Sequence, residues 1–89
     1  MIDANPQDAE GYFCRAAAYD QLDLINPAIE DYDRAIQLNP ELGIAYLARG
    51  LLYVNILNNC AAGVPDLKHY LSSGDTGYRD EAQQALDRC

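Results

Sequence analysis

Few residues in this sequence combine the type and spacing that chemistry requires. The single histidine, His69, stands beside Tyr70 with no cysteine or carboxylate pattern at ligand spacing, so neither a metal site nor a general acid–base pair is expected around it. A packed or surface histidine is the expectation. Cys14, Cys60 and Cys89 are an odd number of cysteines at wide spacing, with no C-x-x-C pair. They read as free thiols in a reducing compartment, and the chain as cytoplasmic. Asp31 and Asp33 look like a carboxylate pair, but residues i and i+2 point away from each other on a helix. The sequence contains no Gly-rich phosphate loop, no H-E-x-x-H and no G-x-S-x-G. Catalytic, cofactor-binding and metal-ligating residues are therefore assigned to none of its positions, no cofactor is expected, and the chain reads as no enzyme.

The tyrosines and arginines recur instead of converging. Tyr12 and Tyr19 are seven residues apart, and the same spacing returns 34 residues later as Tyr46 and Tyr53. That recurrence reads as packing between helices rather than as an aromatic cage. Arg15 and Arg49 recur with the same period, and an acid follows each at a similar distance, Asp31 and Asp66. An arginine at a helix interface is costly unless it is paired. The expected pairs are Arg15 with Asp31 and Arg49 with Asp66, or else Arg49 with Asp31 across the boundary between repeats.

Charge narrows the partners. Among 89 residues, 14 acids oppose 6 bases for a net charge of −8, and the bases are scattered singly. Nucleic acid and anionic lipid bind to clusters of Lys and Arg, so neither nucleic acid nor a membrane surface is expected as a partner. No apolar run approaches the roughly 20 residues of a spanning helix, and the first residues have no basic or apolar segment of a signal peptide. A chain of this length forms one small domain with a thin core and little room for an enclosed cavity.

The elements that hold these residues follow from an internal repeat. A shift of 34 places Asn5-Pro6 on Asn39-Pro40, Tyr12 on Tyr46, Arg15 on Arg49, Ala16 on Gly50 and Tyr19 on Tyr53. A shift of 35 places Ile29 on Val64, Asp31 on Asp66, Tyr32 on Leu67 and Ile36 on Leu71. The second unit thus has one extra residue, expected between Ile56 and Gly63 as a lengthened turn at 58–61. Each unit reads as two helices. Tyr12, Ala16, Tyr19 and Leu22 form one stripe; Ala28, Ile29, Tyr32, Ala35 and Ile36 form the next. Asn26-Pro27 reads as an N-cap followed by proline at the first helical position. In the second unit the stripes are Tyr46, Gly50, Tyr53 and Leu57, then Val64, Leu67, Tyr70 and Leu71. Because proline is tolerated only in a first turn, Pro65 puts the start of that last helix near Ala62. After Ser72-Ser73-Gly74-Asp75, residues 76–88 read as a fifth helix with one apolar stripe of Tyr78, Ala82, Ala85 and Leu86.

The pattern Tyr12, Arg15-Ala16, Tyr19 and its second copy Tyr46, Arg49-Gly50, Tyr53, with Ala28 and Tyr32, Gly63 and Leu67, and the closing Pro40, resembles the tetratricopeptide repeat. The second unit departs from it in its extra residue, in Tyr70 where a small residue is usual, and in lacking a closing proline. The resemblance implies an all-α, right-handed helical solenoid. Its parts would be 1–6 as the remnant of a preceding repeat, 7–40 as unit one, 41–75 as unit two and 76–89 as a capping helix. Ile2-Asp3-Ala4-Asn5-Pro6 is similar to the tail of unit one, Ile36-Gln37-Leu38-Asn39-Pro40, so the chain is expected to begin inside a longer array.

The resemblance also implies a groove lined by the first helix of each unit. Carried onto this chain, the groove-facing positions are Glu10, Phe13, Cys14, Ala17 and Gln21 from unit one, with Leu47, Ala48, Leu51, Val54 and Asn55 from unit two. Family members that hold the carboxylates of a chaperone tail use Lys, Arg and Asn on this face, whereas Phe13, Ala17, Ala48 and Leu51 bring no such charge. The expected function is noncatalytic protein–protein interaction with an apolar or amphipathic peptide or helix, basic flanks being favoured by the net charge. The alternative is a structural segment of a longer array or of a homo-oligomer, its groove filled by its own chain or by a second copy.

Overall fold

Helix-forming residues at three-to-four spacing fold as helices wherever the punctuation allows, and the described part of the chain, residues 8–89 of a computed structural model, is built that way throughout. Its helices are α1 (Ala9–Gln21), α2 (Ile25–Leu38), α3 (Gly43–Leu51), α4 (Cys60–Ser72) and α5 (Arg79–Asp87). A π-helical turn, Leu52–Ile56, runs on from α3. Among the described residues there is no strand. Helices α1 and α2 pack as one pair and α3 and α4 as the next; α2 lies against α3, and α5 against α4 and α3. The expected remnant of a preceding repeat at 1–6 lies outside the described residues.

The two inter-helix turns show where the extra residue went. After α1, Asp23 takes a left-handed φ of 61°, and the amides of Asp23 and Leu24 donate to the carbonyls of Asp20 and Tyr19, closing the helix with two reversed bonds. Asn58 repeats that conformation with φ 52°, 35 residues after Asp23. Aspartate and asparagine tolerate this region better than other residues with a Cβ. The Asn59 amide donates to the Tyr53 carbonyl, as Leu24 does to Tyr19, but one residue further along the chain. The insertion therefore precedes Asn58. It is taken up inside the helix by the wide turn, where Leu57 donates to the Leu52 carbonyl. This corrects the expected lengthening at 58–61, since the turn itself keeps the shape of its counterpart.

Two helix starts also differ from expectation. Helix α2 begins at Ile25, so Asn26 lies inside its first turn rather than capping it. Helix α4 begins at Cys60, where the Asn59 side chain accepts the amide hydrogen of Ala62. Pro65 consequently sits beyond the first turn, and the carbonyl it leaves unbonded belongs to Ala61, which is exposed to water. Helix α5 starts at Arg79 with Tyr78 as its cap residue, so Tyr78, nearly half exposed, is not part of the buried stripe of Ala82 and Ala85.

The core falls into two clusters, and the second pair contributes to both. Leu47, Val54, Leu67, Tyr70, Ala82 and Ala85 form one cluster. Ala16, Ala28, Tyr32 and Leu52 form the other, so Leu52 carries the second pair into the core of the first. The fully buried tyrosines are Tyr32 and Tyr70, on the second helices. Tyr12, Tyr19, Tyr46 and Tyr53, expected in the core, are only half buried. The Tyr70 hydroxyl accepts the Tyr78 amide hydrogen at 2.9 Å, so the residue that departs from the repeat pattern holds the start of α5. Every buried polar side-chain atom among the described residues has a partner.

Helices α3 and α4 approach closely enough to require glycine at their crossing. A Cβ on Gly63 would lie 2.5 Å from Val54 Cγ2 and 2.9 Å from the Gly50 carbonyl oxygen, and one on Gly50 would lie 2.9 Å from Leu67 Cγ. Alanine is the better helix former by about 1 kcal/mol. Overpacking nevertheless costs about 1–3 kcal/mol, and backbone oxygen cannot rotate away. Gly63→Ala should therefore lower the midpoint of urea unfolding. An unchanged or higher midpoint would mean that the helices separate at no cost.

Candidate functional site

The recurring arginines form the polar architecture behind the site. Arg15 donates from Nε and Nη2 to the two carboxylate oxygens of Asp31, at 2.6 and 2.9 Å. Arg49 makes the same fork to Asp66, both bonds at 2.7 Å, and donates from Nη1 to Asp33 at 2.6 Å. Asp31 and Asp66 are buried, so these forks keep their charges compensated. Hydrogen bonding to Asp31 and to Asp66 is the largest influence on Arg15 and Arg49, and it raises both guanidinium pKa values above the ordinary one. Asp31 and Asp33 do point apart, as their spacing requires. One reaches back to α1 and the other forward to α3, so Arg49 ties the two helix pairs together. Asp33 is not legible from the repeat, because the period sets one acid against each arginine.

The half-buried tyrosines flank these arginines. The Arg15 guanidinium lies 5.6 Å from the Tyr12 ring centre and 5.9 Å from that of Tyr19, and Arg49 lies 5.8 Å from that of Tyr46. His69 stacks on Tyr46 with ring centres 3.8 Å apart. Among the described residues, no group of three His, Cys, Asp or Glu side chains is placed to hold a metal ion.

Cys60 and Cys89 form a disulfide, with their Cα atoms 5.8 Å apart, and Cys14 is an exposed free thiol. The expectation of free thiols is corrected for two of the three cysteines. An odd count leaves one cysteine unpaired but says nothing about the others. Helix α5 folds back along α4, which brings its end to the start of α4.

On the opposite side of the first helices, a concave groove of about 550 Å³ runs between α1, α3 with its wide turn, and α5. Phe13, Ala48 and Leu51 lie in it, and Asn55 stands on its rim. Phe13 is held from behind by Tyr32, with ring centres 5.6 Å apart. Leu47 presents an edge to the groove but is only 3% exposed, and Val54, at 4%, is turned into the core against Gly63. Glu10, Cys14 and Gln21 are exposed and Ala17 is half buried, and none of the four lines the groove. The wide turn explains Val54. A shift of 34 pairs it with Asp20, but after the insertion the counterpart of Asp20 is Asn55, and both of these stand at the groove.

Several groove residues were missed by the sequence reading. Ile44 continues the spacing of Ala48 and Leu51 one turn earlier and was findable from that stripe. Ile56 is rotated into the groove by the wide turn, whereas Tyr78 arrives as the cap residue of α5 and Glu81 on its first turn. Asp20 lies on the α1 side; burial, with the nearby charge of Asp23, raises its carboxyl pKa above the ordinary value. Burial also pushes the Tyr32 hydroxyl up to about 12, with the charge of Asp20 adding to the effect.

Residues 9–42 match the family model described as Tetratricopeptide repeat. Over 78 residues the chain is 32% identical to the protein named Protein SGT1 homolog from Oryza sativa subsp. japonica, an alignment that covers 86% of this chain. The chain spans 21% of the length of that relative. No solved structure matches the chain. No helix among the described residues is long and apolar enough to cross a membrane. Residues 9–42, the first helix pair, are thus a tetratricopeptide repeat by the family model, and the second pair repeats the same arginine fork, left-handed turn and pairing.

Proposed function

We propose that this chain is a noncatalytic protein–protein interaction module that takes a peptide or helix of a partner into the groove between α1, α3 and α5. In this reading, 7–40 and 41–75 are its two repeats and α5 closes the exposed flank of the second. The observation that carries it is the groove's lining, in which Ile56 is 54% and Tyr78 48% exposed beside half-buried Phe13, Ala48 and Leu51. Contiguous apolar surface of this kind usually marks a contact. The family supplies the general role, protein interaction, and the rice relative's name adds nothing to the choice of partner. The disulfide removes the basis for a cytoplasmic location, since such bonds persist in oxidising compartments.

The test is an amide chemical-shift titration with a synthetic amphipathic helix of leucine on one face and glutamine on the other. Shifts should concentrate at Phe13, Ala48, Leu51 and Ile56. Burying one leucine contributes about 1.5–3 kcal/mol, so Leu51→Glu should weaken binding at least roughly tenfold while helix content is retained. Leu47→Glu is the wrong probe, because Leu47 is buried and its loss would unfold the core. Shifts confined to other faces would refute the groove. A mass that doubles with concentration and returns to monomer in Leu51→Glu would place a second copy there instead.

A further inference from the structure

Resting on the groove reading, we infer that the occupant is an amphipathic helix with Lys or Arg along both edges of its apolar face, selected by Asp20 and Glu81. These carboxylates stand on opposite sides of the groove, Asp20 from α1 and Glu81 from α5, with the apolar side chains of α3 between them. No lysine or arginine lines the groove. Among the described residues neither acid belongs to an ion pair, since Arg15 and Arg49 are engaged by Asp31, Asp33 and Asp66. Arg88 shares a polar cleft with Glu81 beside the groove, but it donates to the Asn55 side chain. A ligand carrying cations at both edges would thus meet two carboxylates that have no competing partner, and the net charge of −8 would steer it in. Partial burial already makes the Asp20 charge costly, so an arriving cation relieves it.

The walls also choose the occupant's backbone. They are helices whose own main-chain groups are paired, and Asn55 is the one amide side chain among the lining residues. An extended peptide would lie there with its amides and carbonyls desolvated and unpaired. A helix satisfies its backbone internally and presents apolar residues at i, i+3 and i+4 to the floor, with flanking cations turned toward each wall.

Three synthetic helical peptides with one leucine face, differing only in whether the edge residues are Lys, Gln or Glu, test this against the full chain by fluorescence anisotropy. The Lys peptide should bind at least tenfold tighter than the Glu peptide at low salt, with the difference shrinking as salt is raised. In the double variant Asp20→Asn, Glu81→Gln, the Lys peptide should lose its advantage over the Gln peptide. Both substitutions are isosteric, and the charge lost from the last turn of α1, which favours that helix, offsets the charge lost from the first turn of α5, where Asp80 remains, so the variant retains its fold. Equal binding of Lys and Glu peptides would overturn the inference and leave the groove standing. A Lys preference that survives the double variant would overturn the assignment to Asp20 and Glu81. Failure of all three peptides to bind would overturn the groove reading together with it.

Discussion

Arg49→Ala should cost about 3–5 kcal/mol, the loss expected when a buried ion pair is broken by removing one partner. For a domain of this length, total stability is only about 4–13 kcal/mol. The substitution strands Asp66, buried between α3 and α4, and releases Asp33, through which Arg49 holds the first helix pair. Arg49→Lys should recover only part of the loss, because an ammonium cannot reproduce the fork to Asp66 and the third bond to Asp33 together. Arg15→Ala should cost less: both substitutions strand a buried aspartate, but the Arg15 side chain is 37% exposed against 20% for Arg49, and it bonds one carboxylate where Arg49 bonds two. Urea unfolding of the three variants, followed by far-ultraviolet circular dichroism, measures the order. If Arg49→Ala were no worse than Arg15→Ala, the bridge across the pairs would contribute nothing and the packing of Leu52 alone would join them.

Breaking the Cys60–Cys89 bridge should have an effect of similar size. For residues 29 apart, restored loop entropy in the unfolded chain corresponds to about 3–4 kcal/mol. The loss should concentrate in α5, whose packing rests on two alanines, half-buried Leu86 and the bond from the Tyr78 amide to Tyr70. Hydrogen exchange of Cys60→Ser, Cys89→Ser should therefore show amides 79–87 opening well before those of α3 and α4. Glu81 and Tyr78 line the groove from this side, so the same variant should also bind the Lys-edged peptide more weakly. Exchange in α5 as slow as in the oxidised protein would show that its buried stripe suffices to hold it.

The amino-acid sequence determined the helices, their pairing and the arginine forks, and the reason is recurrence. A period of 34, then 35, repeats not only apolar stripes but also Arg15 with Asp31 and Arg49 with Asp66, so one unit predicts the other. Only the tertiary structure decided which inward-leaning residues are core and which are groove. Leu47 and Leu51 sit on the same side of one helix, yet α4 and α5 cover the first and leave part of the second open. Val54 turned inward and Ile56 outward because the inserted residue widened a helical turn instead of lengthening a loop, and Gly63 leaves room for the Val54 side chain. The disulfide was likewise unreadable: 29 residues separate Cys60 from Cys89, and their sulfurs meet only because α5 folds back along α4. Stripe periodicity is a property of each helix alone, whereas burial and bonding depend on which other helix arrives beside it.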